Sequence, residues 1–210
     1  MAGKFISLEG GEGAGKTTLI RKLKTHLENQ GLEVIITREP GGTPGAEDLR
    51  DILLTGQTDR WSPVTEALLM YAARVDHVER LIQPALARGA WVISDRFSDS
   101  TLAYQGAAGG VDIARIRQLH TVALEDFYPD LTFILDLDPL VGLRRTVERG
   151  EDPTRFEMHE TDFHTRLRDA FLRIAGDEPD RCVVLDASMA PDAVYEAALE
   201  IMADKLGANA

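Results

Sequence analysis

The chain has 210 residues, a formal net charge of −12 and 44% hydrophobic residues, long enough to bury one core with or without a small lid. The acidic balance excludes broad electrostatic capture of DNA or RNA, which needs a basic face, and leaves room for one nucleotide held by a local cluster of cations. A single cysteine, Cys182, excludes an intramolecular disulfide, and no signal peptide or membrane-spanning apolar run is read, so the cytoplasm is the expected compartment.

In chain order, Lys4 to Glu9 reads as a strand. It runs into Gly10-Gly11-Glu12-Gly13-Ala14-Gly15-Lys16-Thr17, which fits G-x-x-x-x-G-K-[ST], and Leu19, Ile20, Leu23 and Leu27 then recur at helical spacing. That helix runs to Gln30, where Gly31 stops it. The glycines let backbone N–H groups turn inward around an anion, and the helix points its positive end at the same spot. Gly10 to Thr17 therefore form an expected ATP cradle, with Lys16 on the terminal phosphates and the Thr17 hydroxyl on Mg²⁺. Glu33 to Thr37 reads as the second strand, Arg38 to Gly45 as a turn-rich loop and Glu47 to Leu54 as a short helix.

Ser62-Pro63 is a cap followed by an N1 proline. The helix it starts is expected to carry Val64, Leu68, Tyr71, Val75, Val78 and Ile82 on one face, to kink or break at Pro84 and to end at Gly89. Trp91 to Ser94 is the third strand and delivers Asp95, Arg96 and Phe97 at its carboxyl end. Gly106 to Gly110 reads as a loop between two helical pieces, and Leu131 to Asp136 as a fourth strand buried on both faces. A helix from Pro139 to Val147, a charged break from Arg149 to Glu157 and a helix from Thr161 to Ile174 follow. The strand Arg181 to Asp186, with Cys182 in the core, and a helix from Pro191 to Leu206 complete the chain.

This alternation predicts an α/β fold: a five-stranded parallel sheet with helices on both faces, one domain over 1–210 and a short lid over about 149–159. In such a sheet ligands sit beyond the carboxyl ends of the strands, which gathers the glycine loop, Arg38, Asp95 and Asp136 on one rim. A guanine-reading N-K-x-D stretch is missing after the fourth strand, where Asp136-Leu137-Asp138-Pro139 stands instead. A motor or transporter ATPase would usually bring more chain. A small-molecule kinase fits best, because phosphoryl transfer asks the protein for positioning and charge neutralisation. Arg96 is placed to fork onto an acceptor phosphate. The glycine loop itself carries Glu12 and no arginine, so the missing positive charge is expected from the segment holding Arg149 and Arg155, near Arg144 and Arg145. Glu12 is tolerable there only if it faces Mg²⁺ or pairs with an arginine.

The stretches Leu8 to Thr18, Thr37-Arg38-Glu39-Pro40-Gly41-Gly42-Thr43, Tyr71-Ala72-Ala73-Arg74, Ser94-Asp95-Arg96-Phe97, Ser100-Thr101 and Ala103-Tyr104-Gln105-Gly106 carry a resemblance, as do Pro129 to Asp136, Arg149-Gly150-Glu151 and Arg155-Phe156-Glu157. Over nearly its whole length the chain resembles bacterial thymidylate kinase, with its three-layer P-loop nucleoside-monophosphate-kinase fold. The resemblance implies transfer of the ATP γ-phosphoryl group to dTMP, giving dTDP, in a Mg²⁺-dependent homodimer with no polymer or membrane partner. It implies a catalytic set of Lys16, Asp95, Arg96, Arg149 and Arg155. It implies a dTMP set of Glu12, Arg38, Pro40, Met70, Arg74, Arg96, Ser100, Thr101, Tyr104 and Gln105. Within it Arg74 bonds the thymine, Tyr104 crowds a 2′-hydroxyl and Asp95 orients Arg96 or holds the Mg²⁺ water shell with Thr17. A cis Glu39-Pro40 bond and a stretch from Gly150 to His159 that is mobile without nucleotide are also implied. Met70 replaces the phenylalanine many members stack on thymine, and Phe97 stands where Tyr or His is common. Another nucleoside-monophosphate or deoxynucleoside kinase, or a P-loop protein that binds ATP without transferring phosphate, are the other readings.

Overall fold

The structure is a computed structural model that describes residues 3–148, 155–156 and 158–207. Five parallel strands, β1 (Phe5–Gly10), β2 (Val34–Arg38), β3 (Trp91–Asp95), β4 (Leu131–Asp136) and β5 (Cys182–Asp186), lie in the order β2-β3-β1-β4-β5. The central strand β1 pairs with β3 through Phe5↔Val92 to Leu8↔Asp95 and with β4 through Ile6↔Leu131 to Gly10↔Leu135. All six of its residues are buried, as expected for a strand covered on both faces. The register aligns the ends of β1, β3 and β4, so the segments that leave them meet on one rim.

Helices cover both faces. On one, α1 (Lys16–Asn29) and α9 (Pro191–Leu206) close a core around Ile6, Leu8, Ile93 and Phe133, using Leu19, Ile20, Leu23 and Leu27 on α1 and Val194, Ala198 and Met202 on α9. On the other, α3 (Pro63–His77), α6 (Ile113–Leu124) and α8 (Thr161–Asp177) pack Tyr71, Ile116, Leu167 and Phe171 over Phe5, Val92 and Ile134. Between them in the chain lie α2 (Pro44–Leu54), α4 (Gln83–Ala87), α5 (Ser98–Thr101) and α7 (Pro139–Glu148). No helix among the described residues is long and apolar enough to cross a membrane.

Three elements differ from the sequence expectation. The helix α3 does not bury Val64 or Leu68; it buries Glu66, Ala67, Tyr71, Ala73, Arg74 and His77, because the polar members of this face find partners inside the fold. Pro84 does not break the helix. A π-helical turn, Val78–Ile82, precedes it, and this widening absorbs the missing N–H and the ring's clash with the preceding turn. The glycine stretch 106–110 is not all loop either, since a π-helical segment, Leu102–Ala108, continues α5. Gly106 serves close packing, for a Cβ there would lie 2.5 Å from Ile113 Cδ1. The Glu39-Pro40 bond is cis. Arg149 and most of the expected lid, 149–154 and 157, lie outside the described residues.

Candidate active site

The loop after β1 is shaped by close backbone approach. Gly13 has φ +68, and a Cβ on it would stand 2.2 Å from the Gly142 carbonyl on α7; a Cβ on Gly142 would stand 2.2 Å from the Glu12 carbonyl. The loop and α7 therefore fit together only as two glycines. Gly15, at φ 94, caps α1, whose N-terminus opens into the loop. The Lys16 ammonium is buried and donates to the carbonyls of Gly10 at 3.3 Å and Gly11 at 3.0 Å. Burial, and then Arg96, lower its pKa against the opposing pull of Asp95, Glu12 and Glu9.

A cavity of about 410 Å³ begins at this loop, lined by Glu12 to Thr17, and extends past Arg38, Pro40, Met70, Arg74, Asp95, Arg96, Ser100, Thr101, Tyr104 and Gln105. The sheet register explains the gathering: Asp95 ends β3 beside Leu8, and Arg38 ends β2 beside Asp95. No histidine lines the cavity among the described residues.

Glu12 has the arginine partner that its position demanded. Arg96 Nη2 donates to Glu12 Oε1 at 2.6 Å, and the Tyr104 hydroxyl donates to the same oxygen at 3.0 Å. Burial alone would raise the Glu12 pKa, but Arg96 and Lys16 outweigh it and carry the group down to about 2. Arg96 also donates to the Gly10 carbonyl at 3.0 Å and to Ser100 Oγ at 3.3 Å, from a backbone at φ 72. Its guanidinium lies 5.0 Å from the Tyr104 ring.

Asp95 does not orient Arg96, for none of the Arg96 hydrogen bonds goes to it. Asp95 Oδ1 is buried without a hydrogen-bond partner among the described residues, and its charge opposes the lowering of the Lys16 pKa and adds to the raising of that of Arg96. An orphaned carboxylate oxygen on the rim where the Thr17 hydroxyl also stands suits a hard cation that takes few protein oxygens and keeps several waters.

Arg155 is the clearest correction. It does not line the cavity. It is fully buried, donating to the carbonyls of Leu53 at 3.2 Å and Thr58 at 2.9 Å, with Nη2 2.6 Å from Glu66 Oε1. These groups, on α2, on α3 and between them, hold and charge-balance a guanidinium that the sequence offered as a free lid cation. Its neighbour Phe156 reaches the cavity instead and meets Tyr104 edge to face at 5.6 Å.

Sequence reasoning missed four polar groups. Arg50 lines the cavity and donates to the Pro40 carbonyl at 2.7 Å. Glu39 accepts from Arg74 Nε at 2.6 Å. Glu66 accepts from Gln105 Nε2 at 3.1 Å. Glu9 takes the Phe97 N–H at 2.7 Å and the Ser100 hydroxyl at 2.5 Å, and so pins the turn that carries Arg96. Burial, and then the charge of Asp99, push Glu9 up to about 8 against the pull of Arg96. Only the R-E-P-G-G run around Glu39 carried a signal; the others declare themselves through tertiary contacts.

The thymidylate kinase family model matches residues 8–198. A thymidylate kinase of Caulobacter vibrioides is 56% identical over 205 residues, covering 98% of each chain. The chain belongs to the thymidylate kinase family. A thymidylate kinase of Dinoroseobacter shibae is 50% identical, over 96% of this chain and 95% of its own. The crystal structure of thymidylate kinase from Ehrlichia chaffeensis matches with a TM-score of 0.77 at 35% identity, over 96% of this chain and 99% of that one. The sheet and its surrounding helices are thus the P-loop nucleoside-monophosphate-kinase fold.

Proposed function

We infer that the protein transfers the γ-phosphoryl group of ATP to dTMP, giving dTDP. Beyond the family, one observation carries this reading: the phosphate loop shares a single cavity of about 410 Å³ with Arg38, Arg50, Arg74 and Arg96. The loop with Lys16 and Thr17 takes the triphosphate. Arg96 takes the acceptor phosphate, exchanging part of its hold on Glu12 for it. The acceptor oxygen, with a second phosphate pKa of about 6, is already ionised at neutral pH, so no general base is required. That accords with the lack of histidine in the lining.

Arg74 reads the base. Its Nη1 is buried without a partner among the described residues, and a thymine carbonyl at C4 supplies the acceptor, whereas cytosine offers a donor there. Met70 covers the ring through its polarizable thioether, and Tyr104, Thr101, Gln105, Ser100, Pro40 and Arg38 border the sugar, base and phosphate. When bound, Mg²⁺ neutralises phosphate charge and orients the triphosphate; Thr17 and Asp95 are the residues that would hold it, directly or through water. The reaction is proposed to run in the cytoplasm. Exposed Leu68 on α3 and Val122 on the neighbouring α6 support association as a homodimer.

The test is phosphoryl transfer to dTMP, dCMP, dGMP and thymidine in turn. ATP consumption should depend on an acceptor and be fastest with dTMP. Lys16→Ala should lower turnover by about 100-fold or more without loss of the folded state. Acceptor-independent ATP consumption, or near-normal turnover in that variant, defeats the reading.

A further inference from the structure

Behind the cavity lies a continuous buried relay that no part of the transfer step uses. Thr37 and Glu39 stand two residues apart at the end of β2, so their side chains point the same way. Arg74 and His77 stand three apart on α3, on one helical face. The two pairs interlock. Thr37 Oγ1 is 2.6 Å from His77 Nε2, His77 Nδ1 is 3.0 Å from Glu39 Oε1, and Arg74 Nε donates to Glu39 Oε2 at 2.6 Å. Glu39, Arg74 and His77 are all buried. The Glu39 carboxylate only accepts, so His77 Nδ1 carries a proton and donates it to Glu39, while Nε2 shares a hydrogen bond with the Thr37 hydroxyl.

The far end of the relay holds Arg74 through Nε and Nη2. Nε goes to Glu39, and Nη2 donates to the Phe97 carbonyl and to Thr101 Oγ1, both at 3.1 Å. The guanidinium plane is held 4.6 Å from the Tyr71 ring and 5.3 Å from the Phe97 ring. Among the described residues, Nη1 alone has no partner. The near end is guarded by Gly42, at φ +92. A Cβ there would come within 2.5 Å of both His77 Nε2 and Thr37 Oγ1, so this glycine makes room for their contact.

We propose that His77, acting through Glu39, is a positioning residue for acceptor-base recognition. It fixes the Glu39 carboxylate so that Arg74 presents Nη1 to a pyrimidine carbonyl and disfavours a base bearing an amino group at the same place. His77 does not line the cavity and touches no substrate. The inference rests on the reading of Arg74 as the base contact, and the experiment separates the two.

Steady-state kinetics with dTMP and with dCMP, and the KM for ATP, are compared across four variants. His77→Asn keeps an amide near the place of Nδ1 and retains the bond to Glu39. His77→Gln extends its amide toward Thr37 and offers Glu39 nothing at that place. With His77→Gln the KM for dTMP should rise about tenfold, the scale of one hydrogen bond to a charged group, and the preference for dTMP over dCMP should fall. The KM for ATP and kcat should stay near those of the parent, and His77→Asn should restore dTMP affinity and the preference. Equal behaviour of the two variants, or an unchanged preference in both, overturns the proposal. Should His77→Gln fail to fold, Thr37→Val decides: it removes the ring's outer anchor, and an unchanged dTMP KM and preference overturns the proposal equally. Arg74→Lys tests the foundation. If it leaves the preference intact, Arg74 does not read the base; if it abolishes the preference while the His77 variants do not alter it, only the positioning role is lost.

Discussion

Glu9 and Glu12 are three residues apart, yet their surroundings send their carboxyl groups in opposite directions. Glu12 lies against Arg96, Lys16 and the Tyr104 hydroxyl, and stays ionised down to about 2. Glu9 lies buried under the Phe97–Ser100 turn with Asp99 nearby, and holds its proton up to about 8. Because the folded-state value of Glu9 exceeds the ordinary 4.5, its contribution to stability is fully present below 4.5 and is lost as pH rises through about 8. Glu9→Gln should flatten the pH dependence of unfolding across this window and should gain stability relative to the parent on its alkaline side. Urea midpoints measured on both sides of the window check this; parallel curves for parent and variant would contradict it. The need for a cation beside Glu12, Mg²⁺ or an arginine, was legible in the sequence, since a carboxylate in an anion site requires one. The environment of Glu9 was not, because burial and the nearness of Asp99 arise only when β1 and α5 are brought together.

At the level of elements, apolar spacing located every strand and most helix limits, and on the face starting in α3 it placed Tyr71, Val78 and Ile82 correctly but not Val64 and Leu68. A helix buries whichever face has partners. Here Glu66, Arg74 and His77 have them, while Leu68 remains 53% exposed. The same misreading hid the destination of Arg155. A sequence shows an arginine near a glycine and a proline; it does not show a buried glutamate waiting on α3. Arg155 and Glu66 tie the Arg155-Phe156 pair to the α2–α3 connection, and Glu66 in turn holds Gln105 at the cavity. Arg155→Ala should strip Glu66 of its buried counter-charge and cost about 3–5 kcal/mol of stability. Arg155→Ala combined with Glu66→Leu should recover much of that loss. Thermal melts of the single and double variants test the ledger, and a single variant that melts with the parent would return Arg155 to a role outside the fold.

Across the whole molecule, the order β2-β3-β1-β4-β5 puts the strand that feeds the phosphate loop at the centre. The donor loop thereby sits next to the β3 end that supplies Asp95 and Arg96. The parallel sheet and the shared rim followed from the alternation of elements; the strand order did not, because alternation alone does not say which strands pair. Association was legible only through the resemblance, since Leu68 read as a core residue until the fold exposed it. If α3 and α6 form the homodimer face, Leu68→Glu should place like charges across it, and sedimentation should report half the parent's mass. A parent that sediments as a monomer, or a variant that stays dimeric, would move the interface elsewhere or remove it.

The pairing of Arg96 with Glu12 has a further consequence for the enzyme in a medium full of small anions. A cation left bare at the acceptor site would collect free phosphate or sulfate and spend much of its time blocked. Arg96 instead carries a tethered counterion, supplied by the loop that binds the donor. A free anion gains only what it adds over that resident carboxylate. A nucleotide arrives with a base and a sugar whose contacts elsewhere in the cavity help drive the exchange. If Arg96 takes the acceptor phosphate as proposed, the internal salt link acts as a filter on ligand size, favouring the whole monophosphate over its isolated head group.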